Sequence, residues 1–243
     1  LGLLLLAFGL PYAGLADTVQ PSRTPPPVEE RILPTGRPLP VGYDPRESAS
    51  TAAPARLDLP HWRYQPGPND AITDVPGVRV GHVTVRQEGP PRLRTGFTAI
   101  VGHRGNLATE GLWAAAERLN GNGELTGIGP LQDEGVLMAP IVLGSTTAQA
   151  QMVAGTHLFY RRAYPTTAWD MALPVTGECY DGRQSDVDAH HTALTPNQAA
   201  DAIAQAQGAP DFQPVEQGGV GAGTGMVAFG LHAGIGSASR VLE

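Results

Sequence analysis

Cysteine is all but missing from this chain. Cys179 stands alone among 243 residues, so no disulfide closes within it, and cysteine usage says nothing about redox compartment. A lone thiol of this kind reads first as a small core residue. Positive charge is scarce as well: 16 Lys and Arg face 23 Asp and Glu, a formal net charge of −7. No basic stripe interleaved with aromatics exists, which argues against nucleic acid and anionic membrane surfaces as partners. Several chemical signatures are also absent. There is no GxSxG elbow for a serine hydrolase and no HExxH for a zinc site. What is abundant is 31 glycines and 23 prolines, beside a hydrophobic content of 41%. That composition supports a real core threaded through many turns and loops.

The first ten residues are an apolar run followed by Gly14-Leu15-Ala16, small residues suitably placed for a cut before Asp17. Residues 1–16 therefore read as a secretory signal peptide that has lost its start, which makes the expected location periplasmic or secreted. Residues 17–56 carry proline without any helical or strand period and read as an extended arm. The globular part is expected over 57–243. Within it, alternation predicts strands at 78–87 and 94–103, and alanine content predicts a helix at 110–119. A glycine-rich turn follows at 120–130. Further strands are predicted at 136–144 and 172–180, and helices at 148–164 and 195–208. The last helix carries its own punctuation: Thr195 as N-cap, Pro196 at the first position, Gln198 closing a capping box and Gly208 at the end. Residues 226–234 and 237–243 read as final strands. Irregular alternation of this kind is a layered mixed α/β domain.

Glycine is densest near the end, with eight glycines between 218 and 236. A dinucleotide loop needs a strand before it and a helix after it, and both flanks fail. A P-loop needs a lysine that this stretch lacks. Two uses remain open. One is tight turns between close-packed strands; the other is backbone N–H groups aimed at developing negative charge. Residues 177–191 hold a second polar cluster. Asp186, Asp188, His190 and His191 have the chemistry of a divalent metal site, but their spacing fixes no geometry, and a solvated loop explains them as well. Glu178 differs, because it sits in an apolar strand where a carboxylate needs a partner. That partner is either a cationic ligand group or an arginine such as Arg183 or Arg94.

Seven stretches in order carry a resemblance: 69–82 (NDAITDVPGVRVGH), 94–98 (RTGFT), 120–127 (NGNGELTG), Glu134-Gly135 with Pro140-Ile141, 177–182 (GECYDG), 221–226 (GAGTGM) and 234–240 (GIGSASR). Together they resemble the self-processing aminopeptidases of the L-aminopeptidase/D-amidase-esterase and β-aminopeptidase family, from about Leu57 onward. The resemblance implies an α/β fold, an αββα sandwich of mixed sheets, cut by itself into two subunits. It implies that 57–243 is the large-subunit part. The nucleophile, a Ser or Thr freed at the head of a small subunit from the same precursor, is then expected downstream of residue 243. It further implies oxyanion donors around Gly218 and Gly219, with Thr147 as another candidate. Glu178, Glu124 and Glu134, in that order, are the carboxylates for a substrate ammonium group. The family often has asparagine where Gly219 stands, and some members have a pocket tyrosine where Thr147 stands. No metal and no cofactor are expected; the expected partners are a small peptide or amide substrate and further copies in a homo-oligomer. Two alternatives stay open: a non-catalytic small-molecule binder of the same family, and a metal-dependent hydrolase built on Asp186, Asp188, His190 and His191.

Overall fold

The structure is a computed structural model and describes residues 64–117, 123–166, 173–186 and 192–242. The expected leader and arm lie outside the described residues. Eleven elements are named here in chain order. They are β1 (Arg79–Gln87), β2 (Leu93–Val101), β3 (Leu112–Trp113), α1 (Ile128–Glu134), β4 (Val136–Leu137), β5 (Ile141–Gly144), α2 (Gln149–Ala163), β6 (Val175–Glu178), α3 (Pro196–Gly208), β7 (Val227–Ala228) and β8 (Leu231–His232).

Alternation in β1 and β2 does what it predicts. The two pair antiparallel from Arg79↔Val101 to Gln87↔Leu93. The main sheet runs β1-β2-β5-β6; β5 is antiparallel to β2 and parallel to β6. Parallel neighbours need a crossover, and α2 supplies it. Along β2, Phe97, Ala99 and Val101 face one way and join Val142, Met152, Phe159 and Ile203 in a buried core under α2 and α3. The intervening Ile100 faces the other side and packs with Ile141, Leu143, Val175 and Leu131 in a second cluster. The fold is thus α/β with a four-stranded mixed sheet, α2 and α3 covering one face and α1 packing on the other.

Helix α3 starts as its sequence demands. The Thr195 side chain accepts from the Gln198 N–H, and the Gln198 side chain accepts from the Thr195 N–H at 2.9 Å. Its buried stripe is Ala199, Ala200, Ala202, Ile203 and Ala206, small enough to let the helix approach β1 closely. Gly81 completes that approach: a Cβ there would strike the Ala202 carbonyl and the Ala206 amide.

Four expectations are corrected. Of the helix expected at 110–119, the described residues 110–117 are not helical. Leu112–Trp113 pairs with β4, and Leu112, Ala114 and Ala116 all pack into the second cluster, a period of two that overrides alanine's helical preference. The predicted strand 136–144 is two strands interrupted at Pro140, which has no N–H for a ladder. The hairpin β7–β8 replaces the single strand expected at 226–234. Residues 237–242 are not a strand but a tether. Ser237 Oγ accepts from the Ile72 N–H at 2.7 Å, Ser239 donates to Asp74 at 2.6 Å, and Arg240 pairs with Asp70 at 2.6 Å. Helix α1 was unexpected; Gly127 and Gly135, both left-handed, bracket it.

Adding one methyl at Gly81 is expected to push α3 off the sheet and cost about 1–3 kcal/mol, the usual penalty of overpacking. A thermal melt of Gly81→Ala should show the midpoint falling by several degrees. A midpoint equal to wild type would mean that the helix–strand contact yields without cost.

Candidate active site

The glycine-rich segment lies against the face of the main sheet that α2 and α3 leave uncovered. Thr84 and Thr98 hold it there. The Gly221 N–H donates to Thr84 Oγ1 at 2.8 Å, and the Ala222 N–H donates to Thr98 Oγ1 at 3.1 Å. A short 3₁₀ turn, Gly221–Gly223, follows, and Thr224 Oγ1 closes it by donating to the Gly221 carbonyl at 2.6 Å. Behind the segment, His82 Nδ1 lies 2.9 Å from Thr98 Oγ1. The hydroxyl serves both contacts: its oxygen accepts from the Ala222 N–H and has a second lone pair as well as a proton for Nδ1, so the histidine tautomer sets the direction of that bond. Burial holds the His82 pKa below the ordinary 6.5 against the opposing pull of Glu216.

The candidate oxyanion donors divide. The Gly218 N–H is already committed, donating to the Ile235 carbonyl at 2.8 Å. The Gly219 N–H makes no hydrogen bond among the described residues, while its carbonyl accepts from Arg86 Nη2 at 2.8 Å. Thr147 stands elsewhere, in the 3₁₀ turn after β5, its hydroxyl 3.2 Å from that of buried Ser145.

The carboxylates also divide. Glu178 ends β6, in register with Gly144 at the end of β5. Its Oε2 accepts from Thr146 Oγ1 at 3.2 Å, and its N–H donates to the Glu124 carbonyl at 3.1 Å. Glu178, Glu124, Thr146 and Thr147 therefore gather where α2 begins. Neither Arg183 nor Arg94 is ion-paired to Glu178 among the described residues; Arg94 instead pairs with Glu88 at 2.8 Å. Glu134 is not part of this group. It stands exposed at the far end of α1, roughly 9 Å of helix rise beyond its start. The glycine segment stays on the other face of the sheet from Glu178 and reaches the loop after β6. Its Gly225 packs on Asp181, just past the end of β6.

Of the alternative metal set, Asp188, His190 and His191 lie outside the described residues. Asp186 holds a loop, accepting from the Arg92 N–H at 2.8 Å. Cys179 is no nucleophile here. Burial, with Asp181 and Glu178 nearby, pushes its thiol up to about 12. A cleft of about 460 Å³ opens between the edge of β1 and residues 208–216. None of the candidate glycines, carboxylates or Thr147 lines it. Sequence reasoning missed Arg86 and the Thr84/Thr98/His82 pins; the alternation of β1 and β2 would have put all four on the face the helices leave free.

Residues 70–243 match the peptidase family S58. The chain belongs to that family. It is 35% identical over 205 residues to the β-peptidyl aminopeptidase BapA of Sphingosinicella microcystinivorans, a match covering 81% of this chain and 49% of that protein. The chain thus spans about half the length of the curated relatives it matches. Among solved structures it resembles a Burkholderia sp. β-aminopeptidase, with TM-score 0.60 and 36% identity over 68% of this chain and 45% of that one. It also resembles the L-aminopeptidase D-Ala-esterase/amidase from Ochrobactrum anthropi, with TM-score 0.58 and 29% identity over 69% of this chain and 47% of that one. That enzyme is described as a prototype for the serine aminopeptidases and a variant of the Ntn (N-terminal-nucleophile) hydrolase fold. The α/β fold class read from the sequence stands. In this S58 chain the described residues form the α2–α3 layer and a four-stranded mixed sheet of the αββα sandwich, beside the small β3–β4 and β7–β8 sheets.

The His82–Thr98–Ala222 pin predicts an acid-sensitive S58 fold. A histidine whose folded pKa is depressed contributes stability that is present above about pH 6.5 and lost as pH falls through the folded value. Melting at about pH 7.5 and about pH 5 should show a loss in acid that shrinks in His82→Gln. Some dependence is expected to persist, because His232 is depressed too, by burial and by Arg94 and Arg92. An unchanged acid loss in the variant would take the pin out of the explanation.

Proposed function

We propose that the complete protein is an aminopeptidase or amidase that releases N-terminal residues from small peptides, amides or esters. Its nucleophile is a Ser or Thr hydroxyl created by self-cleavage downstream of residue 243, and the small subunit so formed completes the site. The precursor is exported, and the mature enzyme works as an oligomer of paired subunits. Membership of a peptidase family and likeness to aminopeptidases support this reading. The observation that carries it is the end of the main sheet. There Glu178 offers a half-buried carboxylate, held by Thr146 and without an ion pair among the described residues, for the substrate's ammonium group; the free N–H of Gly219 lies across the sheet, on its other face.

The chemistry follows from those needs. An N-terminal Ser or Thr carries its own amine as local base. Its hydroxyl oxygen bonds to the scissile carbonyl carbon while the proton passes to that amine. The displaced carbonyl electron pair rests on oxygen, where N–H donors stabilise it. Collapse expels the leaving amine, which takes the proton, and water then releases the acyl group. A carboxylate fixing the substrate's ammonium group selects for free N-termini. Glu178, oriented by Thr146, takes that role, with Glu124 beside it.

Full-length protein on a denaturing gel should resolve into a pair of bands, the smaller one opening with Ser or Thr. One intact band from a protein that still binds amino compounds would favour the non-catalytic alternative. In the cut enzyme, Glu178→Gln should raise KM for amino-acid amides by about 10- to 100-fold with a smaller change in kcat, as expected for loss of one charged hydrogen bond. Equal KM values for wild type, Glu178→Gln and Glu124→Gln would remove this pair from substrate binding.

A further inference from the structure

The outer edge of β6 is not bare. Leu125 bridges Gly177 antiparallel, outside the named strands. The Thr126 N–H donates to the Thr176 carbonyl at 2.9 Å, and the Glu178 N–H donates to the Glu124 carbonyl at 3.1 Å. This register sets Thr126 opposite Thr176 and Glu124 opposite Glu178. The Thr126 and Thr176 hydroxyls meet at 2.8 Å, so that pair shares one face. Residues two apart on a strand point the same way. Glu124 and Glu178 therefore stand side by side on the face of the threonines, their Cβ atoms about 5 Å apart as in any directly opposed pair. Thr176 Oγ1 also donates to Gln149 Oε1 at 2.6 Å, which fixes this edge to the start of α2. Like charges directly opposite work against strand pairing, yet no cation offsets these two. Neither glutamate forms an ion pair among the described residues. Glu178 is half-buried and accepts one hydrogen bond, from Thr146; Glu124 is exposed.

We infer that Glu124 is a specificity-determining residue: the site favours an N-terminal residue that carries a second cation in its side chain, as lysine does. The inference rests on the aminopeptidase reading above, with Glu178 as the partner of the α-ammonium. One ammonium on Glu178 neutralises half of the pair and leaves Glu124 facing the side chain of the same residue. A second ammonium removes the remaining charge. The two amines of lysine stand at opposite ends of one aliphatic chain, which spans carboxylates projecting from Cβ atoms about 5 Å apart. An aliphatic side chain in that place only strips water from Glu124 and returns nothing to it. The two contacts differ in strength. The half-buried Glu178 holds its ammonium in a less polar setting, where attraction is stronger. The exposed Glu124 gains less from its ion pair. Binding therefore comes mainly from Glu178 and discrimination from Glu124.

The test uses the full-length protein with lysinol and norleucinol, amino alcohols that keep the α-ammonium, offer no bond to hydrolyse and differ only in the side-chain ammonium. Calorimetric titration should show lysinol binding about 5- to 30-fold more tightly, the range between an exposed ion pair and a charged hydrogen bond. Glu124→Gln should weaken lysinol more than norleucinol and bring the ratio to within about twofold of unity. Raising salt from about 0.05 to 0.5 M should shrink the wild-type ratio, since screening acts on the exposed pair; that measurement needs no variant to fold. A wild-type ratio below about twofold overturns the proposal. So does a Glu124→Gln protein in which both amines weaken equally, which would make Glu124 a support for Glu178 and not a selector. Failure of both amines to bind overturns it together with Glu178 as the ammonium's partner, while the bands on the denaturing gel decide self-cleavage separately. Hydrolysis of lysinamide and norleucinamide at equal kcat/KM removes the selection and leaves the aminopeptidase reading standing.

Discussion

Backbone laid directly on backbone governs this molecule's working end. At Gly221 the chain turns with φ of +50°, and a Cβ there would sit 2.7 Å from His82 Nδ1 and 2.8 Å from the Phe97 carbonyl. Across the gap, a Cβ on Gly96 would lie 2.6 Å from the Gly221 carbonyl. Only bare backbone on both sides permits such contact. The closeness creates a debt of its own, because N–H groups turned into a sheet face cannot reach water. Each one left unpaired costs about 1–3 kcal/mol. Thr84 and Thr98 settle that by presenting hydroxyls to Gly221 and Ala222. The threonines belong to β1 and β2, where β-branched residues also suit the strand. One residue type thus serves the sheet and the segment lying on it.

From this contact the rest of the site follows. With Gly221 and Ala222 fixed, the segment before them has to leave the sheet at Gly218–Gly219. Gly218 pairs with Ile235 in both directions, 2.8 Å and 2.9 Å, and that pairing turns the Gly219 peptide out of any ladder. Its N–H is left without an internal acceptor and its carbonyl meets Arg86. At the other end Gly225 runs into Asp181 and so ties the segment to the loop after β6. Beyond it, Ser237, Ser239 and Arg240 fasten the chain to residues 65–74. The tether explains why a run that looks like a final strand by composition is not one. Its polar side chains are used as caps and ion-pair partners for a neighbouring turn, and no strand edge is offered to it.

How much of this was readable beforehand depended on whether the signal was local. The capping box of α3 is written within four residues, from Thr195 to Gln198, and formed as read. The alternation of β1 and β2 was enough to place both strands. Residues 110–119 failed because Ala-rich segments favour helix in isolation, while Leu112, Ala114 and Ala116 were committed to a period-two contact with Leu131 and Leu137. That partner surface is far along the chain and invisible to a window. The same limit applied to the site. Glycine density pointed to Gly218–Gly225, and an apolar setting pointed to Glu178. Arg86 carried no mark of its own, being one arginine among several on a strand. Its importance comes from what lies across from it, 133 residues later.

The charges at the end of the sheet are sorted by edge, and the sorting constrains any substrate. Arg86 belongs to one outer strand, β1; Glu178 belongs to the other, β6, with Glu124 paired against it. Arg92 and Arg94 are quenched by Glu88, whose own carboxyl their charges hold below the ordinary range, the Arg94 hydrogen bond foremost. Arg86 and Glu178 do not face one space. Glu178 shares a side of the sheet with Val142, beneath α2, while Arg86 lies with Thr84 on the side that carries the glycine segment. A residue whose ammonium sat at Glu178 would have its carbonyl within about 5 Å. Such a residue would meet the turn between β5 and α2, where Thr146 and Thr147 stand, and not the arginine rim across the sheet.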